Sequence, residues 1–296
     1  MSARWTIPVP PAHRFPMAKY GLIRDGVLAA GVVAREEMAE PERCPRWSLE
    51  LAHDRGYVGR VVEQALEPRE VRRIGFPQVP ELAERSLRTT QGTVEAARDA
   101  LAQGAGLNLA GGTHHAGIAF GEGYCVFNDV AVAIRTLQHE GLLGRAAILD
   151  LDVHQGNGTA EIFAGDPDVV TFSMHGARNF PWRKVPSTVD VALEDGTDDA
   201  AYLAALDAHL EDVLDRVAAD VAFYLAGADP YLGDRLGRLR LSIEGLRRRD
   251  ARVFAACRRR GLPLVMVLAG GYAHDLADIV TIHTNSVREL RRAYAA

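Results

Sequence analysis

Four short runs of this chain, 146–149, 169–174, 221–225 and 264–268, carry aliphatic, aromatic or other buried-type residues at almost every position. A strand that buries one face alternates apolar with polar residues, whereas a strand apolar throughout buries both faces. Segments with helical spacing separate these runs. Residues 128–140 set Val130, Ile134 and Leu137 on one face behind an N-cap at Asn128 or Asp129, and residues 199–217 repeat the pattern from Tyr202 to Val217. Helices are also expected over 91–103, ending near Gly104, over 244–260, and from about Asp275 onward, with a short strand at 107–110. Apolar strands alternating with helices predict an α/β fold, a three-layer αβα arrangement around a mainly parallel sheet. No repeat, low-complexity tract or shift in composition divides the sequence, so 1–296 is expected to be a single domain. Pro8, Pro10, Pro11 and Pro16 predict an extended entry segment ahead of it.

Composition excludes several classes. A formal net charge of −5 gives no support for a nucleic-acid partner. Residues 1–5 are not followed by the apolar stretch of a secretory signal, and no run is long enough to span a membrane. Three widely spaced cysteines, Cys44, Cys125 and Cys257, fit neither a disulfide framework nor a zinc ribbon, which points to a reducing, cytoplasmic setting.

Open parallel sheets place their sites beyond the carboxyl ends of the strands. Polar clusters follow four of the expected strands: Gly111-Gly112-Thr113-His114-His115, Asp150-Leu151-Asp152-Val153-His154, Ala226-Gly227-Ala228-Asp229 and Ala269-Gly270-Gly271-Tyr272. In an extended chain, residues at i, i+2 and i+4 point the same way, so Asp150, Asp152 and His154 can converge. One such cluster reads as well as a polar strand end capping the next helix. Four at equivalent positions argue for a site. Asp152, His154 and Asp229 offer a metal three ligands with room for water and a carbonyl, and His114 and His115 offer neutral imidazoles as base and acid.

These motifs, in this order from about Arg85 to Tyr272 with weaker echoes at His13-Arg14-Phe15-Pro16, resemble the zinc-dependent histone deacetylase family of the arginase/deacetylase superfamily. The Gln155-Gly156-Asn157-Gly158 and Gly233-Asp234-Arg235-Leu236-Gly237 segments are most similar to class IV and its bacterial relatives. The resemblance implies the arginase/deacetylase fold and hydrolysis of acyl groups, acetyl or longer fatty acyl, from lysine side chains. Asp150 would orient His114, Asn157 would orient His115, and Tyr272 would donate to the oxyanion. Gly123, Tyr124, Phe180, Gly270 and Gly271 would line a narrow tunnel for the acyl-lysine stem. A structural potassium is implied near Asp150, Asp152, His154, Ser173 and Met174. Zinc and iron(II) both suit an Asp₂His set.

Two positions depart from the family. Asn157 stands where class I members carry Asp, and Ala269 replaces the first glycine of the usual Gly-Gly-Gly-Tyr, which bears on the Tyr272 turn. A two-manganese ureohydrolase of the same fold would need bridging carboxylates where Gly156 and Tyr231 stand. A non-enzymatic binding module would be expected to have lost a ligand, a His or the Tyr, and none is missing. Acetylated polyamines and other small amides remain alternative substrates, and oligomeric state is not legible. Arg247-Arg248-Arg249 and Arg258-Arg259-Arg260 read as a solvated helix face, and Cys125 as a packed small hydrophobe.

Overall fold

The computed structural model describes residues 5–10 and 12–294; Pro11 and residues 1–4, which enter the expectations above, lie outside the described residues. Helices α1 (Lys19–Ala29), α2 (Arg46–Leu49), α3 (Arg55–Val62), α4 (Pro68–Ile74) and α5 (Pro80–Gln103) precede the first strand. Then come β1 (Ala105–Asn108), α6 (Asp129–His139), β2 (Ala146–Asp150), α7 (Asn157–Ile162), β3 (Val169–Gly176) and β4 (Val189–Leu193). The chain continues through α8 (Asp199–Asp215), β5 (Val221–Ala226), α9 (Ile243–Arg259), β6 (Leu264–Leu268) and α10 (Leu276–Tyr294).

The strands form one six-stranded sheet in the order β1-β6-β5-β2-β3-β4, parallel at every pairing. Apolar runs do this because alternate side chains serve different cores. Val221, Phe223 and Leu225 join the core that includes Val94 of α5 and Val130 of α6, while Ala222, Tyr224 and Ala226 join the core that includes Leu206 of α8 and Phe254 of α9. Each face of such a strand thus removes apolar area from water, at roughly 25 cal/mol per Å².

The short strand lies at 105–108 rather than 107–110, because α5 ends at Gly104 with φ 92° and the sheet begins at once. β4, whose residues alternate between half-buried and exposed along most of its length, was not anticipated. It lies at the sheet edge, where the uniform apolar signal is lost. The reading of Arg247–Arg249 as a solvated face holds for Arg247 and Arg248 but fails for Arg249, which is completely buried. Arg249 Nη1 donates to Gly227 O at 2.7 Å and Leu151 O at 3.2 Å, and Nε and Nη2 both reach Asp250 Oδ1. Charge at that position is spent inside the molecule.

The four strands followed by motif clusters, β1, β6, β5 and β2, are consecutive neighbours in the sheet. Between β2 and β5 the connections diverge, β2 leading to β3 on one side and β5 to β6 on the other. That divergence opens a crevice at the carboxyl edge.

Candidate active site

Asp152 and His154 follow β2 and Asp229 follows β5, so the neighbouring strands bring them together at the crevice. One donor atom from each lies within 4.8 Å of the others, and among the described residues no other such group of His, Cys, Asp or Glu occurs. All three residues are buried. Backbone N–H groups orient the carboxylates: Gly270 N donates to Asp152 Oδ2 at 2.6 Å, His154 N to Asp152 Oδ1 at 2.9 Å and Val153 N to Asp229 Oδ1 at 2.9 Å. The strand-end backbone therefore sets the ligand directions.

Asp229 Oδ2 makes no hydrogen bond, although His154 Nδ1 stands 3.1 Å away. A buried carboxylate oxygen left so is costly unless a cation serves it. Burial and the nearby Asp152 push Asp229 up to about 7. Burial opposes a proton on His154, but Asp152 and Asp229 outweigh it and lift the imidazole to about 10. Two carboxylates pulling positive charge onto the third donor, with one oxygen unserved, are a donor set that fits a divalent cation. Gly270 is required here, since a Cβ would lie 1.7 Å from Asp229 Oδ2.

His114 and His115 follow β1 through Gly111 and Gly112, both with positive φ. Their loop is tied down by Asp129, which accepts Gly112 N at 3.2 Å and Thr113 N at 2.8 Å. The cap of α6 falls to Asn128 instead, whose side chain accepts from Ala131 N. His114 Nδ1 lies 2.7 Å from Asp150 Oδ2, and His115 Nδ1 lies 2.6 Å from Asn157 Oδ1. The two rings consequently differ. Burial disfavours charge on His114, but Asp150 and Asp152 overcome it and raise its pKa to about 9. Burial, joined by the charges of His114 and His154, drives His115 well below its ordinary value. The two rings therefore sit in different electrostatic settings: a carboxylate favours charge on His114, and a neutral carboxamide faces His115.

Tyr272 faces the same space, its ring centroid 6.3 Å from that of His154. Asp234 fixes its turn by accepting Tyr272 N at 2.6 Å, as well as Leu236 N and Gly237 N. Buried Lys19 donates to Ala269 O and Gly271 O, each at 3.3 Å, and sits 5.2 Å from the Tyr272 ring centre. The methyl of Ala269 is accommodated in this turn, where Ala269 is buried. Burial, with Asp229 and Asp152 nearby, raises the Tyr272 phenol well above its ordinary pKa, so it keeps its proton. Sequence reasoning passed over Asp129, Asp234 and Lys19 as contributors. The Gly-Asp-Arg-Leu-Gly segment was a signal for Asp234, but Lys19, on α1 some 250 residues from its acceptors, left none.

A cavity of about 740 Å³ leads from solvent to these groups. Gly123 and Tyr124 both adopt positive φ, at 55° and 68°, which turns the Tyr124 ring toward Tyr272 at a centroid distance of 6.1 Å. A Cβ on Gly123 would lie 2.8 Å from His115 Cδ2. Phe180 meets His115 edge-on at 5.0 Å. Phe15, in the N-terminal echo, packs on both Tyr124 and Tyr272. All five expected tunnel residues except Gly271 line this cavity. Ser173 is in register with Asp150 across β2 and β3, and its Oγ lies 3.0 Å from His175 Nδ1. Met174 is buried beside it.

A histone deacetylase domain profile matches residues 13–287. The chain belongs to the histone deacetylase family. An uncharacterized protein of Picosynechococcus is 44% identical over 290 residues, covering 98% of this chain and 97% of its own. Histone deacetylase 2 of Arabidopsis thaliana is 29% identical over 291 residues, covering 95% of this chain and 74% of its own. The crystal structure of the HDA15 HD domain superposes with a TM-score of 0.83 at 22% identity, over 98% of this chain and 85% of that one, and supports the fold. Family membership supports a deacetylase. Among the described residues no helix is long and apolar enough to cross a membrane.

Proposed function

We propose that this protein is a zinc-dependent deacylase that hydrolyses the amide of an acyl-lysine, with acetyl or a longer fatty acyl group as the acid part. The observation that carries the reading is the buried Asp152, His154 and Asp229 set, with its unserved Asp229 oxygen, beside His114 held by Asp150 and His115 held by Asn157. The three residues would hold a single Zn²⁺, or Fe²⁺, which when bound supplies Lewis-acid polarisation of the amide carbonyl and activation of water.

The chain's own groups have separable tasks. His115 points Nδ1 at the Asn157 carboxamide oxygen, which fixes the N–H there and leaves Nε2 as the basic nitrogen. That nitrogen takes a proton from the attacking water and returns it to the departing amine, so the amide and water become a carboxylate and an amine. His114, held toward imidazolium by Asp150, adds positive charge beside the reacting carbonyl. Tyr272 is a protonated donor for the developing oxyanion. Tyr124 and Phe180 would flank the lysine stem. Residues 1–296 are read as one domain because both cores share one sheet. A potassium near Asp150, Asp152, His154, Ser173 and Met174 would brace the ligand loop with oxygen donors. Three unpaired buried cysteines support a cytoplasmic location.

An acyl-chain-length series on lysine peptides and on acetylpolyamines, run with zinc- and iron(II)-loaded protein beside metal analysis, tests this. One tightly held transition ion per chain and hydrolysis of acyl-lysine are expected. Two stoichiometric manganese ions, or no hydrolysis of any acyl amide, would overturn it.

A further inference from the structure

The chain carries a net charge of −5, yet six arginines line the cavity: Arg14, Arg72, Arg73, Arg178, Arg235 and Arg238. All six are exposed. Few carboxylates answer them. Arg73 is paired with Glu122. Arg178 and Arg238 share Asp195, at 3.9 and 3.2 Å. Arg235 spends its donors on backbone oxygens, Tyr272 O at 2.8 Å and Arg14 O at 3.1 Å, which leaves its charge uncompensated. Arg14 and Arg72 have no ion-pair partner among the described residues. Glu122 and Asp195 are thus the carboxylates that pair with these six guanidinium groups. Trp182, 80% exposed, stands on the same rim.

Resting on the deacylase reading above, we propose that the substrate presents its acylated amine from an acidic polypeptide segment, with Asp or Glu flanking the acyl-lysine. An acyl-lysine side chain is itself neutral, so nothing charged has to pass the rim. The flanking residues stay at the mouth and meet the arginines. A carboxylate there gains bidentate partners in an arginine fork. A basic tail meets uncompensated like charge. A mono-acylated polyamine fares worst, because its free ammonium trails only a few carbons behind the amide. The rim therefore separates two substrate classes that the floor of the cavity cannot distinguish, since both deliver the same amide.

The test uses metal-loaded enzyme and three acetyl-lysine peptides of equal length, flanked by Glu and Asp, by Ser and Gly, or by Lys and Arg, with N-acetylputrescine as a fourth substrate. At low salt kcat/KM for the acidic peptide should exceed that for the basic one by about tenfold or more, mainly through KM. The gap should shrink severalfold at about 0.5 M salt, where the screening length falls to a few ångströms. The combined variant Arg14→Glu, Arg72→Glu and Arg178→Glu should invert the order of the acidic and basic peptides, each compared with the neutral peptide on the same variant. Arg72→Glu alone, at an exposed position without an ion-pair partner, should narrow the gap if the triple variant folds poorly. Equal or better turnover of the basic peptide or N-acetylputrescine overturns the proposal. Peptide affinities measured by Trp182 fluorescence keep the two readings apart. Absent turnover with affinities still ordered acidic over basic refutes deacylation and upholds the rim. Turnover with unordered affinities does the reverse.

Discussion

At the floor of the cavity, polar groups are buried and held: Asp152 by two backbone N–H groups, His114 by Asp150, His115 by Asn157 and the Tyr272 turn by Asp234 and Lys19. At the mouth, arginines outnumber carboxylates, stand in solvent and make few contacts. A floor of this kind preorganises charge where water cannot reorganise around it, so its contribution falls on the chemical step. A mouth of this kind acts through long-range attraction that salt weakens, so its contribution falls on encounter and binding. The two regions should fail in different kinetic constants.

The sharpest break is at the ligands. Asp229→Ala, or Gly270→Ala, whose Cβ would lie 1.7 Å from Asp229 Oδ2, should lose both bound metal and turnover at every salt concentration. Full activity in Asp229→Ala with metal retained would end the distinction. Next comes Tyr272→Phe, which removes one oxyanion donor and should lower kcat by about 10²–10³ with KM little changed. A loss confined to KM would move Tyr272 from floor to mouth. Asp234→Asn alters the acceptor of Tyr272 N and should lower kcat by up to about 10²-fold, again without salt dependence, because a misplaced donor is a weaker one.

Asn157→Asp probes the tuning of the floor. A carboxylate beside His115 would favour its imidazolium and raise its pKa. A base works only when neutral, so the acidic limb of the kcat/KM profile should move to higher pH, by about one unit or more. A limb that stays in place would remove His115 as the base. The smallest effect belongs to the mouth: Arg72→Ala should change stability by no more than about 0.5 kcal/mol and should alter turnover of a neutral peptide little.

The sequence made the floor far more legible than its supports. Asp150, Asp152 and His154 could be read because strand periodicity relates them locally, and the four clusters because each follows an apolar run. Their adjacency in the sheet, β1-β6-β5-β2, could not be read, since strand order depends on crossovers. Asp129 looked like a cap, a local role, when its acceptors serve a loop 16 and 17 residues earlier in the chain. The different partners of the two histidines, Asp150 for His114 and Asn157 for His115, were legible through the resemblance, and the structure places both pairs within hydrogen-bond reach. Arg249 was misjudged for a related reason: triplets of basic residues on a helix suggest solvent, but three successive residues sweep about 200° of the helix surface, and in this triplet the last one turns into the interior while none of Arg258–Arg260 is buried. The mouth was not recognised at all, because its arginines come from four separated stretches of chain.

Arg249 also bears on the proposed metal site. Its guanidinium grips Leu151 O and Gly227 O, the carbonyls just before Asp152 and two residues before Asp229, while Asp250 neutralises it and is itself held by Tyr224 and Ser286. The spacing of the two ligand-bearing loops is therefore fastened from behind by covalently attached charge. On the proposed metal reading, such a receptacle would keep its walls when a chelator empties it, so exchange of one metal for another would be a matter of supply in the surrounding solution and not of refolding. Cutting the fastening strands Asp250 as a buried, lone anion at a cost of roughly 3–5 kcal/mol.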